Sequence, residues 1–181
     1  CYHIDQFESL RPVFLKVIEY CHAMGLDMIQ GDHEDAPGQL ELNWTFDDVV
    51  RNADRLSTYR QICAQVAREN LIACFMTKPF MGVSASGCHT NVSLWKGGGE
   101  AINRLHNKVL PGMDDVFTYR TGGENTFMPD TDDMQMPGKI GLQCVGGIVK
   151  HLGALTAIGC STVNSYRRLW DVGFWAPVFA D

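Results

Sequence analysis

The chain has 181 residues, 15 of them Lys or Arg and 21 Asp or Glu, for a formal net charge of −6. That balance is too acidic for a general nucleic-acid or membrane-surface binder, and a content of 45% hydrophobic and 10% aromatic residues excludes a disordered chain. The length is about that of one domain, and no apolar run approaches the ~20 residues that a spanning helix requires.

The chain opens Cys1-Tyr-His-Ile-Asp5, with no basic segment followed by an apolar one, so no signal peptide is expected. It lacks an initiator Met and stops directly after Ala176-Pro-Val-Phe-Ala180, which reads as a fragment of a longer protein. Seven scattered cysteines, never in a Cys-x-x-Cys pair, signal neither a disulfide framework nor a zinc site. Reduced thiols and a cytoplasmic location are the expectation.

Phe7, Leu10, Phe14, Val17, Ile18 and Cys21 recur at helical spacing, and Gly25 follows where a helix end favours a left-handed residue, so a helix is predicted over 6–24. Leu26 to Gln30 reads as a short strand. From Gln39 to Phe46 the chain alternates strictly, with Leu40, Leu42, Trp44 and Phe46 opposite Gln39, Glu41, Asn43 and Thr45. Two strands thus flank a loop containing Pro37-Gly38. A second helix is predicted over 47–69, with Thr45 and Asp48 resembling a capping box. Leu71 to Met76 reads as a buried strand and Cys88 to Trp95 as an alternating one. Between Gly97 and Asp133 the pattern dissolves into Gly-rich turns, with a short helix candidate around Glu100 to Val109. A third, buried helix is predicted over 139–158.

The chemistry concentrates in a few places. Glu34 lies just before a turn and Glu41 on the polar face of the strand after it, so the turn can bring two carboxylates together. Such groups repel unless a cation neutralises them, and a divalent ion that prefers oxygen ligands suits them; a solvated strand face is the plainer alternative. His89 can add a nitrogen ligand to the same region, favouring Mg²⁺ or Mn²⁺, or can simply be hydrogen-bonded. Lys78-Pro-Phe80 precedes Gly82-Val-Ser-Ala-Ser-Gly87, whose small residues permit close backbone approach to a ligand, although it lacks a P-loop ending. Asn164-Ser-Tyr-Arg-Arg168 offers guanidinium groups suited to a carboxylate or phosphate, or forms an exposed helix end.

In combination these segments are far more specific than any one. Glu34-Asp-Ala-Pro-Gly-Gln-Leu-Glu41, Phe75-Met-Thr-Lys-Pro-Phe80, Ser86-Gly-Cys-His-Thr-Asn-Val-Ser-Leu94, Gly146-Gly-Ile148 and Asn164-Ser-Tyr-Arg-Arg-Leu169 followed by Ala176-Pro177 occur in that order. In that order they resemble the catalytic domain of the glutamine synthetase family, from about residue 26 to the end, apart from the excursion after Gly97. The resemblance implies an ATP-dependent ligase that joins glutamate to ammonia or a small amine through a γ-glutamyl phosphate. It implies that Glu34 and Glu41 ligate a metal near glutamate and His89 a metal near ATP. It places Gly87 against glutamate, Asn91 and Ser93 against the nucleotide, Phe46 near the adenine, and Arg168 on a carboxylate or the transferring phosphoryl group. It further implies an α+β fold with a curved antiparallel sheet backed by helices, incomplete at both ends, and a homo-oligomer of stacked rings without nucleic-acid or membrane partners. The fragment alone is then expected to be inactive.

Three departures qualify the resemblance. Ser84-Ala85 stands where the family usually has Asn-Gly; residues 97–123 read as an inserted loop within a partial domain spanning 1–181; and Trp175 stands where ammonia-using members carry a flap Glu. An indole cannot act as a base but excludes water and packs against an alkyl group. Trp175, Asp32-His-Glu-Asp35 and Asn43-Trp44 look more like the γ-glutamylmethylamide synthetase branch, which predicts an alkylamine acceptor. The alternatives are a catalytically silent scaffold of the same family that binds an amino acid or regulator, and an unfolded remnant.

Overall fold

The computed structural model describes residues 2–69, 71–97, 101–110, 113–120, 123–130 and 136–170. Its elements are, in order, α1 (Ile4–Ala23), β1 (Met28–His33), β2 (Leu40–Trp44), α2 (Val49–Ala67), β3 (Trp95–Lys96), β4 (Ala101–Leu110), β5 (Met113–Arg120), β6 (Glu124–Asn125), α3 (Lys139–Lys150), α4 (Leu152–Gly159) and α5 (Val163–Trp170). The architecture is α+β, with strands in three two-stranded sheets, β1-β2, β3-β6 and β4-β5. They fall into two compact units, one of Cys1–Phe75 with Ala101–Tyr119, the other of Met76–Glu100 with Arg120–Asp181.

In the first unit α1 turns Phe14, Val17 and Cys21 inward, three- and four-residue steps that place one stripe on one face. It ends as its sequence predicts: Gly25 takes φ +78°, and the Leu26 amide returns to the Cys21 carbonyl at 2.8 Å. That turn delivers Leu26 and Met28 into a core with Val17, Cys21, Ile62 and Val66, against which Leu42, Trp44 and Tyr59 also pack. Each such aliphatic side chain contributes roughly 1.5–3 kcal/mol on burial. β1 and β2 pair antiparallel, with Asp32 opposite Glu41 and His33 opposite Leu40. The intervening turn uses Gly38 at φ +73°, as the Pro37-Gly38 pair predicts. Gly31 faces α1 so closely that an added Cβ would lie 2.1 Å from Phe14 Cζ and 2.8 Å from Leu42 Cδ2.

Several local expectations are corrected. Asp48 is the N-cap of α2, but no side chain caps that helix end, so the predicted capping box does not form. Leu71 to Met76 forms no ladder, and Ile72 is 91% exposed. An apolar run becomes a strand only where another edge can satisfy its amides, and among the described residues none pairs with it. From Cys88 to Trp95 the alternation likewise produces no strand before Trp95, where β3 pairs with β6. The helix candidate at Glu100 to Val109 is strand β4 instead. Its Asn, His, Val and Ile residues have weak helix propensity, and pairing with β5 decides the outcome.

In the second unit Trp95 lies opposite Asn125 and Lys96 opposite Glu124, so the excursion after Gly97 leaves and returns at neighbouring ladder positions. The single helix predicted over 139–158 is two, α3 and α4, bent by 68° at His151. Gly146, Gly147 and Gly153 flank the break, each about 1 kcal/mol less favourable than Ala in a helix. The pair is also less buried than expected: Leu142 is 48% and Val149 64% exposed. Helical spacing reports a period, not what covers the face. Among the described residues no single helix is long and apolar enough to cross a membrane.

Candidate active site

The acidic residues of the first unit gather by strand geometry. Asp32 and Glu41 are direct cross-strand partners, and the ladder extends one step to a Glu34 amide donating to the Gln39 carbonyl at 2.8 Å. Because side chains alternate, Asp32, Glu34 and Glu41 emerge from one face, whereas His33, Leu40 and Leu42 occupy the other. Glu34 and Glu41 are diagonal neighbours, a relation that separates α-carbons by roughly 7–8 Å, within reach of two flexible carboxylates and a shared cation. Glu34 Oε2 accepts the Asp35 amide at 2.9 Å, and Gln30 Nε2 donates to Asp32 Oδ2 at 3.0 Å. The sequence singles out Glu34 and Glu41; Asp32 joins them through register. An all-carboxylate donor set fits a hard divalent ion. Within either unit, among the described residues, no three His, Cys, Asp or Glu side chains converge as a complete metal shell.

Behind this face the groups are kept neutral. Burial, then the neighbouring Cys63, pushes the Cys21 thiol up to about 12. Burial and Cys63 also raise the Tyr59 hydroxyl, with a small contribution from Glu41, and burial raises Cys63. Tyr59 stacks on Trp44 at 5.5 Å and on Phe75 at 6.3 Å, which ties α2 to β2. Phe46, just beyond β2, leaves its ring 49% exposed.

In the second unit, three separated motifs meet. Asn164, in the first turn of α5, clamps the backbone of Lys78 from both sides: its Oδ1 accepts the Lys78 amide at 2.7 Å and its Nδ2 donates to the Lys78 carbonyl at 2.6 Å. Thr77 and Ser165 hydroxyls lie 3.3 Å apart beside the clamp. Lys78 itself is 1% exposed, and its ammonium donates to the Val83 carbonyl, which closes the Gly82-to-Ser86 loop over its own stem. The Ser86 amide then donates to the Thr77 carbonyl at 2.8 Å.

That loop presents Gly87. A Cβ there would sit 3.0 Å from His89 Nε2 and 3.7 Å from Arg168 Nη1, and Arg168 Nη1 donates to the Ser86 carbonyl at 3.1 Å. Gly87, His89 and Arg168 therefore converge, and a glycine leaves the space between the imidazole and the guanidinium open. Asn91 and Ser93 follow on an exposed segment outside any helix or strand, with Ser93 Oγ accepting the Trp95 indole N–H at 3.0 Å. Glu34, Glu41 and Phe46 belong to the first unit, the other described candidates to the second. Trp175 and Ala176-Pro177 lie outside the described residues. Sequence reasoning missed the role of Asn164 as a clamp and the burial of Lys78; no spacing rule marks either, because the partners are 86 residues apart.

Comparison with known proteins bears on these motifs together. The glutamine synthetase catalytic domain matches residues 1–181. A glutamine synthetase of Rhizobium meliloti (strain 1021) is 33% identical over 93% of this chain, which covers 34% of that protein. A glutamate–methylamine ligase of Methyloversatilis universalis is 31% identical over 99% of this chain and 36% of its own length. Among solved structures, one described as apo GmaS without ligand superposes with a TM-score of 0.72 at 31% identity, over 93% of this chain and 34% of that one. A GmaS/ADP complex gives 0.67 at 28% identity, over 98% and 34%. The chain thus spans about a third of the length of these relatives. By the match along its whole length, the superposition of its fold and the ordered motifs, the chain belongs to the glutamine synthetase catalytic-domain family.

Proposed function

We propose that this chain forms part of an ATP-dependent ligase that joins glutamate to a small amine, with methylamine rather than ammonia as the preferred acceptor. The observation that carries the reading is the convergence of Gly87, His89 and Arg168, three residues for which the family resemblance implies glutamate, metal and phosphoryl contacts. The ADP complex of GmaS and the named glutamate–methylamine ligase support a nucleotide and an alkylamine as partners.

In this reading Glu34 and Glu41 hold one divalent ion, Mg²⁺ or Mn²⁺, and His89 holds another. Such ions neutralise phosphate charge and orient the reacting oxygens. The residues do the rest. Gly87 allows the glutamate backbone close approach, since a larger side chain would fill the gap beside His89. Arg168, anchored to the Ser86 carbonyl, keeps its remaining N–H groups for a carboxylate or for the phosphoryl group in transfer. The resemblance assigns a nucleotide contact to Asn91 and Ser93 in the second unit and, separately, to Phe46 in the first. The side-chain carboxylate of glutamate takes the γ-phosphoryl group of ATP, and the amine displaces phosphate from the acyl phosphate. The alkylamine acceptor follows from the resemblance, in which Trp175 stands where ammonia-using members carry a flap Glu, and an indole cannot serve as that base.

The ratio of glutamine to γ-glutamylmethylamide formed from ATP and glutamate by the intact protein, with ammonia and methylamine in competition, tests the acceptor, and phosphate release reads total turnover. The methylamide should dominate, and Glu41→Ala should abolish turnover. Near-normal turnover of that variant with unchanged Mn²⁺ affinity sinks the metal assignment; preference for ammonia sinks the acceptor assignment and spares the ligase. A silent scaffold would show no metal-dependent ATP affinity by calorimetry.

A further inference from the structure

We infer that Arg55 is a positioning residue for the nucleotide, holding the β2–α2 corner so that the Phe46 ring stays turned outward to meet a purine. The inference rests on the nucleotide reading of Phe46 given above. Phe46 sits in the four-residue link between β2 and α2, and both of its neighbours are tied down. On one side the Thr45 amide donates to the Asp27 carbonyl at 3.3 Å, while the Thr45 carbonyl accepts Arg55 Nη1 at 3.5 Å. On the other, the Asp47 carboxylate is fully buried, 3.0 Å from Arg55 Nη2, and it accepts the Asp48 amide at 2.8 Å. Arg55 Nη1 also lies 2.9 Å from Asp27 Oδ1, so one guanidinium joins the start of β1 to both flanks of Phe46. Asp27 and Arg55 are 4% and 6% exposed.

Stability alone does not account for this arrangement. A buried ion pair often contributes no more than well-packed apolar side chains of the same volume, because desolvating the charges offsets their attraction. What a planar guanidinium supplies is reach in several directions at once, since it lies 2.9 and 3.0 Å from two carboxylate oxygens and donates to a carbonyl, which a compact ammonium on a flexible stem cannot do together. Among the described residues of this corner, Phe46 at 49% exposed and Val49 at 84% are large apolar side chains left open to solvent, and Phe46 is the aromatic one. A rigid aromatic ring on a braced corner is a stacking platform whose orientation costs no further ordering when the base arrives.

The test is a double-mutant cycle on the intact protein, with ATP affinity in Mg²⁺ read by calorimetry and glutamate KM read in parallel. Phe46→Ala should weaken ATP roughly 5- to 150-fold, the range for loss of one base–aromatic stack. Arg55→Lys keeps the charge but loses the fork, and should weaken ATP at least about threefold while glutamate KM stays within about twofold. In the Phe46→Ala background, Arg55→Lys should then cost ATP nothing further. Asp47→Asn, which retains the shape of the corner, should follow the same pattern if Arg55→Lys does not fold. Additive losses in the double variant, or equal losses for ATP and glutamate, would overturn the inference and leave Arg55 a plain structural strut. An unchanged ATP affinity in Phe46→Ala would remove the nucleotide reading of Phe46 and this inference with it.

Discussion

Replacing Asn164 by Ala removes both hydrogen bonds that hold the Lys78 backbone, at 2.7 and 2.6 Å, where Lys78 is 1% exposed. Burial of Lys78 keeps solvent from readily taking the lost partner's place. A buried polar group left without a partner costs about 1–3 kcal/mol, and for two groups at a partly buried site the expected loss is about 2–4 kcal/mol. Asn164→Asp keeps an acceptor for the amide but sets a carboxylate oxygen against the Lys78 carbonyl, so it should cost at least as much. Native-state hydrogen exchange of the Lys78 amide in the intact protein reads this directly: opening should become roughly 30- to 900-fold more frequent in Asn164→Ala. Asn164→Ala should also loosen the Ser86-Gly87 loop, which hangs on Thr77 beside the clamp, and so raise glutamate KM. A Lys78 amide as protected in Asn164→Ala as in the unaltered protein would refute the clamp.

Gly31→Ala should destabilise the first unit by about 1–3 kcal/mol, because its Cβ would press on Phe14 Cζ and Leu42 Cδ2; urea denaturation checks it, and an unchanged midpoint would mean that the β1-α1 contact is looser than described. Gly87→Val should leave folding intact but raise glutamate KM, since the added methyl groups enter the gap between His89 and Arg168. Stability should fall with rising pH in the alkaline range. The folded Cys21 thiol titrates near 12 against an ordinary 9.0, so between those values the unfolded chain binds fewer protons and unfolding gains about 1.4 kcal/mol per pH unit from this group. Thermal melting from pH 8 to 11 should show that slope, and Cys21→Ala should flatten it. Alkylation at neutral pH should reach the exposed Cys74 and Cys88 well before Cys21, as peptide mapping would report.

Local chemistry is what the sequence conveys well. The ends of α1 and of the β1–β2 turn follow from Gly25 and Gly38, both at positive φ, where a side chain would strain the backbone. Glu34 and Glu41 share a face because alternation and a short turn leave few choices. The motif order alone pointed to the family that the comparisons establish. Three misreadings share one cause: Leu71 to Met76, Cys88 to Leu94 and Ala101 to Leu110 carry ambiguous periodicity, and the presence or absence of a pairing edge decides each of them. The break at His151 is a related case, where glycines weaken a helix that apolar spacing alone would continue.

What the amino-acid order determined by itself is therefore which residues carry chemistry and the short-range geometry around them, since φ preferences and side-chain periods act over a few residues. Contacts between distant segments were decided only by tertiary structure. Asn164 on the Lys78 backbone, Arg168 beside Gly87, and Arg55 between Asp27 and Asp47 join residues up to 86 positions apart. Nothing in a local pattern encodes such a meeting. It arises when burying the core brings the segments together and leaves each polar group to find the partner that desolvation then requires.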